Sequence, residues 1–267
     1  MKDSAVSIYT QAVRADAVTT LMRSRNPATG GCQRPDTHPL SANGGDAHDR
    51  FAEVGRRGPA GLRTLCVCGA ERTQRTRLPW RPLLSIADSE IAGILAAYLD
   101  RHPEETALLA EPVELLARGK DFASRRNFDM HVTVGALLTR GEDILLVGHR
   151  AYGIPLQPGG HLEPTDTTLM GAAVRELVEE TGIDPATVIA VSQEPVYIEY
   201  GRVPARSQKD EPEHFHLDLG YAFTTTGDIG SLQESEVTSA AWFPLNEATR
   251  LVGARVRRAS DARVRIA

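Results

Sequence analysis

The stretch best equipped for chemistry is Arg175-Glu176-Leu177-Val178-Glu179-Glu180-Thr181-Gly182-Ile183, preceded by Gly159-Gly160-His161-Leu162-Glu163-Pro164-Thr165-Asp166. On a helix advancing about 100° per residue, Glu176, Glu179 and Glu180 project from one arc at i, i+3 and i+4. Met170, Val174, Leu177 and Thr181 line the neighbouring side. Three carboxylates that close repel one another. A divalent cation turns the repulsion into coordination, and hard oxygen donors suit Mg2+ or Mn2+. Arg175, one turn before Glu179, is placed to hold that carboxylate through a charge-assisted contact. Taken alone, the triplet reads equally well as a solvated acidic face, because charge runs usually lie on the surface. The Gly-Gly pair before it and Gly182 after it move the balance toward a built site.

A second set lies downstream. His214, His216 and Asp218 alternate with Phe215, Leu217 and Leu219, so the polar residues share one face of a strand. His-x-His-x-Asp reads as a second metal site or as a strand face lining a substrate groove. Magnesium prefers oxygen, which favours the groove. Tyr197, Tyr200 and Tyr221 either stack on a base or are ordinary strand residues. His131 and His149 read as structural. Arg202, Arg206 and Lys209 fall in a long polar loop over residues 201–213, where Arg206 is a candidate to meet phosphate.

These residues need elements to position them. Thr168 to Thr181 has the helical period, and Gly182 fits the left-handed position that ends a helix. Gly159-Gly160 reads as a turn. Strands are expected at 132–134 and 143–147, joined around Gly141, then at 188–192, 196–200, 214–223 and 240–243. A helix from Ser85 to Asp100 closes at Pro103, and a second is expected from Glu104 to Arg118. A short helix, Asn246 to Leu251, and an arginine-rich tail finish the chain. The expected class is α/β with a mixed sheet rather than repeated βαβ units.

Residues 1–80 carry no sustained period and are punctuated by Pro27, Gly30-Gly31, Pro35, Pro39, Gly44-Gly45 and Gly58-Pro59. Such a stretch buries too little apolar surface to offset its ordering entropy, so residues 1–82 are expected to be a disordered extension. Residues 83–127 form a helical segment that reads as a lid, a homodimer contact or packing. Cys32, His38, Cys66 and Cys68 do not read as a zinc site, because Cys-x-Cys lacks the usual spacing.

Charge is uneven over the 267 residues. The first 80 carry 12 Lys/Arg against 7 Asp/Glu, and the remaining 187 carry 18 against 28, which together give the net −5. An acidic globular part is a poor nucleic-acid binder, since such affinity rests on cationic contacts to phosphate. No run of 18 apolar residues is present, so no membrane helix is expected. The first residues lack the apolar core of a secretory signal, and three cysteines make no disulfide scaffold. A cytoplasmic location is the expectation.

The segment over residues 160–183 resembles the Nudix box, G-x5-E-x7-R-E-U-x-E-E-x-G-U with U aliphatic. From Arg175 to Ile183 every defined position matches. The first half departs twice: Asp166 stands where the family has glutamate, and one residue is inserted before the helix. The insertion falls in a loop, where added length costs little. Asp166 either reaches metal through water or caps the helix. The resemblance implies a Nudix-type α/β/α sandwich with a mixed β-sheet over residues 128–267. It also implies Mg2+-dependent hydrolysis of a nucleoside diphosphate linked to another moiety, a small-molecule nucleotide-type substrate.

By motif position, Glu176, Glu179, Glu180 and the Gly160 carbonyl would hold metal, Glu176 would bind metal or activate water, and Arg175 would orient the glutamates. The general base in such proteins varies and often lies outside the box, which makes Glu234 and Glu236 candidates, Glu236 foremost. The alternative is a non-catalytic Nudix-fold nucleotide sensor. Intact Arg175, Glu176, Glu179 and Glu180 favour the enzyme. The related isopentenyl diphosphate isomerase needs a reactive cysteine, and none follows Cys68.

Overall fold

The structure is a computed structural model that describes residues 86–207 and 210–264. The expected disordered extension, the cysteines, His38 and Lys209 lie outside the described residues. Eight strands form one mixed sheet: β1 (His131–Arg140), β2 (Asp143–His149), β3 (Ile154–Leu156), β4 (Gly159–His161), β5 (Val188–Ala190), β6 (Tyr197–Val203), β7 (His214–Thr225) and β8 (Val237–Pro244). The path runs β3-β2-β1-β7-β5, with β4 beside β1, β6 beside β7 and β8 beside β2. β1 and β7 pair in parallel and the other neighbours are antiparallel.

Alternation along β1 divides two cores. Val132, Val134, Ala136 and Leu138 join one apolar cluster, whereas Leu137 joins the other. The first cluster packs α1 (Asp88–Arg101), α2 (Ala110–Leu116) and α3 (Leu169–Thr181) through Ile91, Leu95, Leu116, Ala173 and Leu177. The second packs α4 (Leu245–Val252) and α5 (Arg258–Val264) through Ala248, Val252 and Ala259. Helices on both faces of a mixed sheet make the α/β/α sandwich. The early helices are therefore packed into the core of the domain, since Ile91 and Tyr98 are fully buried in it.

Several expected elements change. The helix expected from Glu104 to Arg118 is a 3-10 turn at Pro103–Glu105 followed by α2. Pro112 explains the break, because its ring and missing N–H bar a helix from continuing through the preceding turn. Gly159-Gly160 is part of strand β4, not a turn. A Cβ at Gly159 would lie 2.3 Å from the Val134 carbonyl oxygen, so glycine is needed for the two backbones to pair. The expected loop from residue 201 loses its first part to β6, which extends to Val203, and Arg206 bridges to Glu211 across the rest. The arginine-rich tail is helical at its start, where Arg255 is buried against Glu199 and Gln157.

Candidate active site

Helix α3 opens at Thr168, whose Oγ1 accepts the Gly171 N–H at 3.0 Å, and closes at Gly182 with φ 62°. Asp166 is not the cap. Thr168 takes that place, and Asp166 instead accepts the Glu163 N–H at 2.7 Å and grips Arg175 with both oxygens. Although burial pushes the Asp166 carboxyl up, the hydrogen bonds from Arg175 and from the Glu163 N–H hold it below its ordinary range.

Arg175 organises the cluster. Its Nε donates to Asp166 Oδ1 at 3.0 Å, and Nη2 donates to Asp166 Oδ2 and to the His161 carbonyl, both at 2.9 Å. Its Nη1 donates to Glu176 Oε1 and Glu179 Oε2, both at 3.0 Å. A guanidinium has five N–H donors, so each has an acceptor here. The hydrogen bonds to Asp166, more than any other influence, raise the affinity of Arg175 for its proton.

The glutamates differ in setting. Glu176 is buried directly against Gly160, where a Cβ would stand 2.6 Å from the Glu176 carboxyl carbon. Burial raises the Glu176 carboxyl to about 7, helped by Glu179 and Glu236 and opposed by Arg175. Glu180 is 1% exposed, and Oε2 accepts the Gly159 N–H at 3.0 Å. Burial lifts it to about 8, with Glu176, Glu236 and Glu179 adding to the effect. Glu179 keeps 45% of its side chain open to solvent.

Glu236 is exposed on the turn before β8, yet its charge reaches both Glu176 and Glu180. That loop is tied to the end of α3: the Gly230 N–H donates to the Thr181 carbonyl at 2.9 Å and the Gln233 N–H to that of Glu180 at 3.3 Å. Glu234 gives its carbonyl to Arg150 Nε at 3.0 Å. Four carboxylates thus gather around one end of α3 and the edge of β4. Their oxygen-only donor set, with two members raised toward neutrality by burial, fits a hard divalent cation such as Mg2+ or Mn2+.

Residues 129–263, just over half of the chain, match the family model of the NUDIX domain. The chain belongs to the NUDIX family. Solved structures similar to this NUDIX chain include a NUDIX-family hydrolase from Clostridium perfringens, 22% identical, covering 51% of this chain and 98% of that one at a TM-score of 0.39. The NUDIX domain of Shewanella oneidensis NrtR, complexed with ADP ribose, is 21% identical over 58% of this chain and 97% of that one, with a TM-score of 0.38. An Ap4A hydrolase from C. elegans is 19% identical over 49% and 95%, with a TM-score of 0.36. No curated protein matches the chain in sequence.

The downstream residues of this NUDIX domain are placed differently from one another. Asp218 is buried, accepting Thr133 Oγ1–H at 2.9 Å and the Tyr197 hydroxyl at 2.8 Å. His214 and His216 are buried too, but they meet His131 and His161 instead. Arg206 lies over the Tyr152 ring and 3.9 Å from Glu211. Sequence reasoning gave His131 a structural role and passed over His161 as a member of any histidine set. The signal for both was tertiary: β1 runs parallel to β7 with His131 opposite His216, and β4 sets His161 opposite Thr133. Among the described residues no helix is long and apolar enough to cross a membrane.

Proposed function

We propose that the chain is a divalent-metal-dependent NUDIX pyrophosphohydrolase, cleaving the pyrophosphate bond of a nucleoside diphosphate linked to another moiety. The observation that carries this reading is the gathering of Glu176, Glu179, Glu180 and Glu236 around α3, with Arg175 locked by five hydrogen bonds. Glu176, Glu179, Glu180 and the Gly160 carbonyl are the proposed ligands. Bound Mg2+ or Mn2+ would neutralise negative charge that spreads over the phosphoryl oxygens.

The rest is the work of the chain itself. Arg175 fixes the rotamers of Glu176 and Glu179, so the donors are arranged before substrate arrives. Gly160 lets β4 approach the Glu176 carboxyl, which no other residue type would allow at this distance. Glu236, exposed and outside the helix, is the proposed general base, because Glu176 and Glu179 are held by Arg175 and Glu180 by the Gly159 N–H.

Phosphate release across a panel of nucleoside diphosphate derivatives tests the proposal, run with Mg2+, with Mn2+ and with chelator. Metal-dependent turnover that disappears in Glu179→Gln supports the hydrolase and identifies its substrate class. Nucleotide binding without turnover by the folded protein, retained in that variant, would assign it to the sensors instead.

A further inference from the structure

Four imidazoles meet at one end of β1 and β7, on the sheet face turned away from α3. His131, His161 and His216 each present a ring nitrogen within 4.8 Å of the other two. The Nε2 atoms of His131 and His161 stand 3.1 Å apart, as do those of His214 and His216. On their outer edges, Nδ1 of His131 lies 3.0 Å from the Asn127 carbonyl and Nδ1 of His214 lies 2.7 Å from that of Pro212. A carbonyl only accepts, so both Nδ1 atoms carry the proton and both Nε2 atoms turn a lone pair inward. A backbone carbonyl behind the distal nitrogen is the arrangement that orients imidazoles toward metal ions.

We propose that His131, His161 and His216, with His214 paired to His216 beside them, bind a transition-metal ion, zinc before others, at a site separate from the carboxylate cluster. Tetrahedral zinc with bonds of about 2.0–2.1 Å sets its ligand nitrogens about 3.3–3.4 Å apart. The His131–His161 pair at 3.1 Å is within a few tenths of that spacing, and a His216 nitrogen lies within 4.8 Å of both. An all-imidazole set suits zinc, copper or nickel and not magnesium.

Two separate histidine–histidine hydrogen bonds would explain each pair but not their assembly. The His131 ring centre is 4.5 Å from that of His216, tilted against it, and 4.7 Å from that of His214, stacked on it, so the pairs join in one group. Asp218, next in the alternation along β7, is turned to Thr133 and Tyr197. Metal entry requires His161 and His216 to move their proton from Nε2 to Nδ1, a change of tautomer that leaves each ring neutral. The bound ion would join β1, β4 and β7, and β4 is the strand that brings Gly160 to Glu176.

The test uses the full chain, stripped with chelator, incubated with Zn2+ and desalted in excess Mg2+. Bound metal is measured by mass spectrometry, and the thermal midpoint is followed with and without zinc. About one zinc ion per chain is expected, with a raised midpoint. A His131→Gln/His216→Gln double variant should lose that ion, whereas Glu180→Gln should keep it. Co2+ substitution in the unaltered chain gives a readout independent of how the double variant folds. Intense visible bands of tetrahedral cobalt support the site. Failure of the folded chain to retain zinc, loss of zinc to Mg2+, a weak octahedral cobalt spectrum, or zinc lost with Glu180→Gln and kept in the double variant would each overturn it.

Discussion

The carboxylate cluster and the histidine cluster meet on adjacent residues of one short strand. Gly160 faces Glu176, and His161 faces His131 on the other side of the sheet. In both places burial drives the ionisable groups toward their neutral forms, upward for the acids and downward for the imidazoles. They differ in access. Glu179 and Glu236 open the acids to solvent, while three of the four histidines are buried. An open oxygen cluster suits an ion that must also meet a substrate. A closed nitrogen cluster suits one that stays.

The sharpest way to break the comparison is to neutralise one side. Glu180→Gln should lower kcat by about 10²–10³-fold, the usual cost of removing a preorganised charge from a reacting centre, and should leave the histidine side intact. Steady-state kinetics beside zinc content would show whether the two are separable. Gly160→Ala should come next. Its Cβ would displace the Glu176 carboxyl, and a misplacement of that kind costs about 10²-fold in rate. Circular dichroism should show a retained fold.

The pH dependence of metal-free stability should have opposing slopes. Glu176 and Glu180 take up protons near 7 and 8 in the fold, against an ordinary 4.5. The folded state therefore holds more protons in that window, and stability should fall as pH rises from about 4.5 through 8. His131 and His161 titrate near 4 and 3, against an ordinary 6.5. There the unfolded chain holds more protons, and stability should rise with pH from about 3 to 6.5. Thermal midpoints in chelator should show Glu180→Gln flattening the first slope and His131→Gln the second. The smallest effect is expected from Thr168→Ala, which removes the cap of α3 and should cost about 1 kcal/mol in urea denaturation.

One cluster was legible in the sequence and the other only half so, for a physical reason. Glu176, Glu179 and Glu180 are neighbours on a single helix, so spacing alone gathers them. His214 and His216 share a strand and were visible as a pair. His131 and His161 reach them only through the parallel β1–β7 register and the β4–β1 pairing, which no local period encodes. The same limit hid β4 itself, since two glycines beside Pro158 carry a turn signal that close backbone pairing overrides. The break before α2, by contrast, was written in the chain, since Pro112 falls inside the span expected to be one helix.

Arg175 has a further consequence. With each of its N–H groups already committed within the protein, its charge steadies the helix but offers a polyphosphate no donor. Whatever positive charge greets an arriving substrate has to come from cations recruited with it or from side chains outside the helix. The affinity of this helix for an anion is thus borrowed, and it should rise and fall with the concentration of divalent ions in solution.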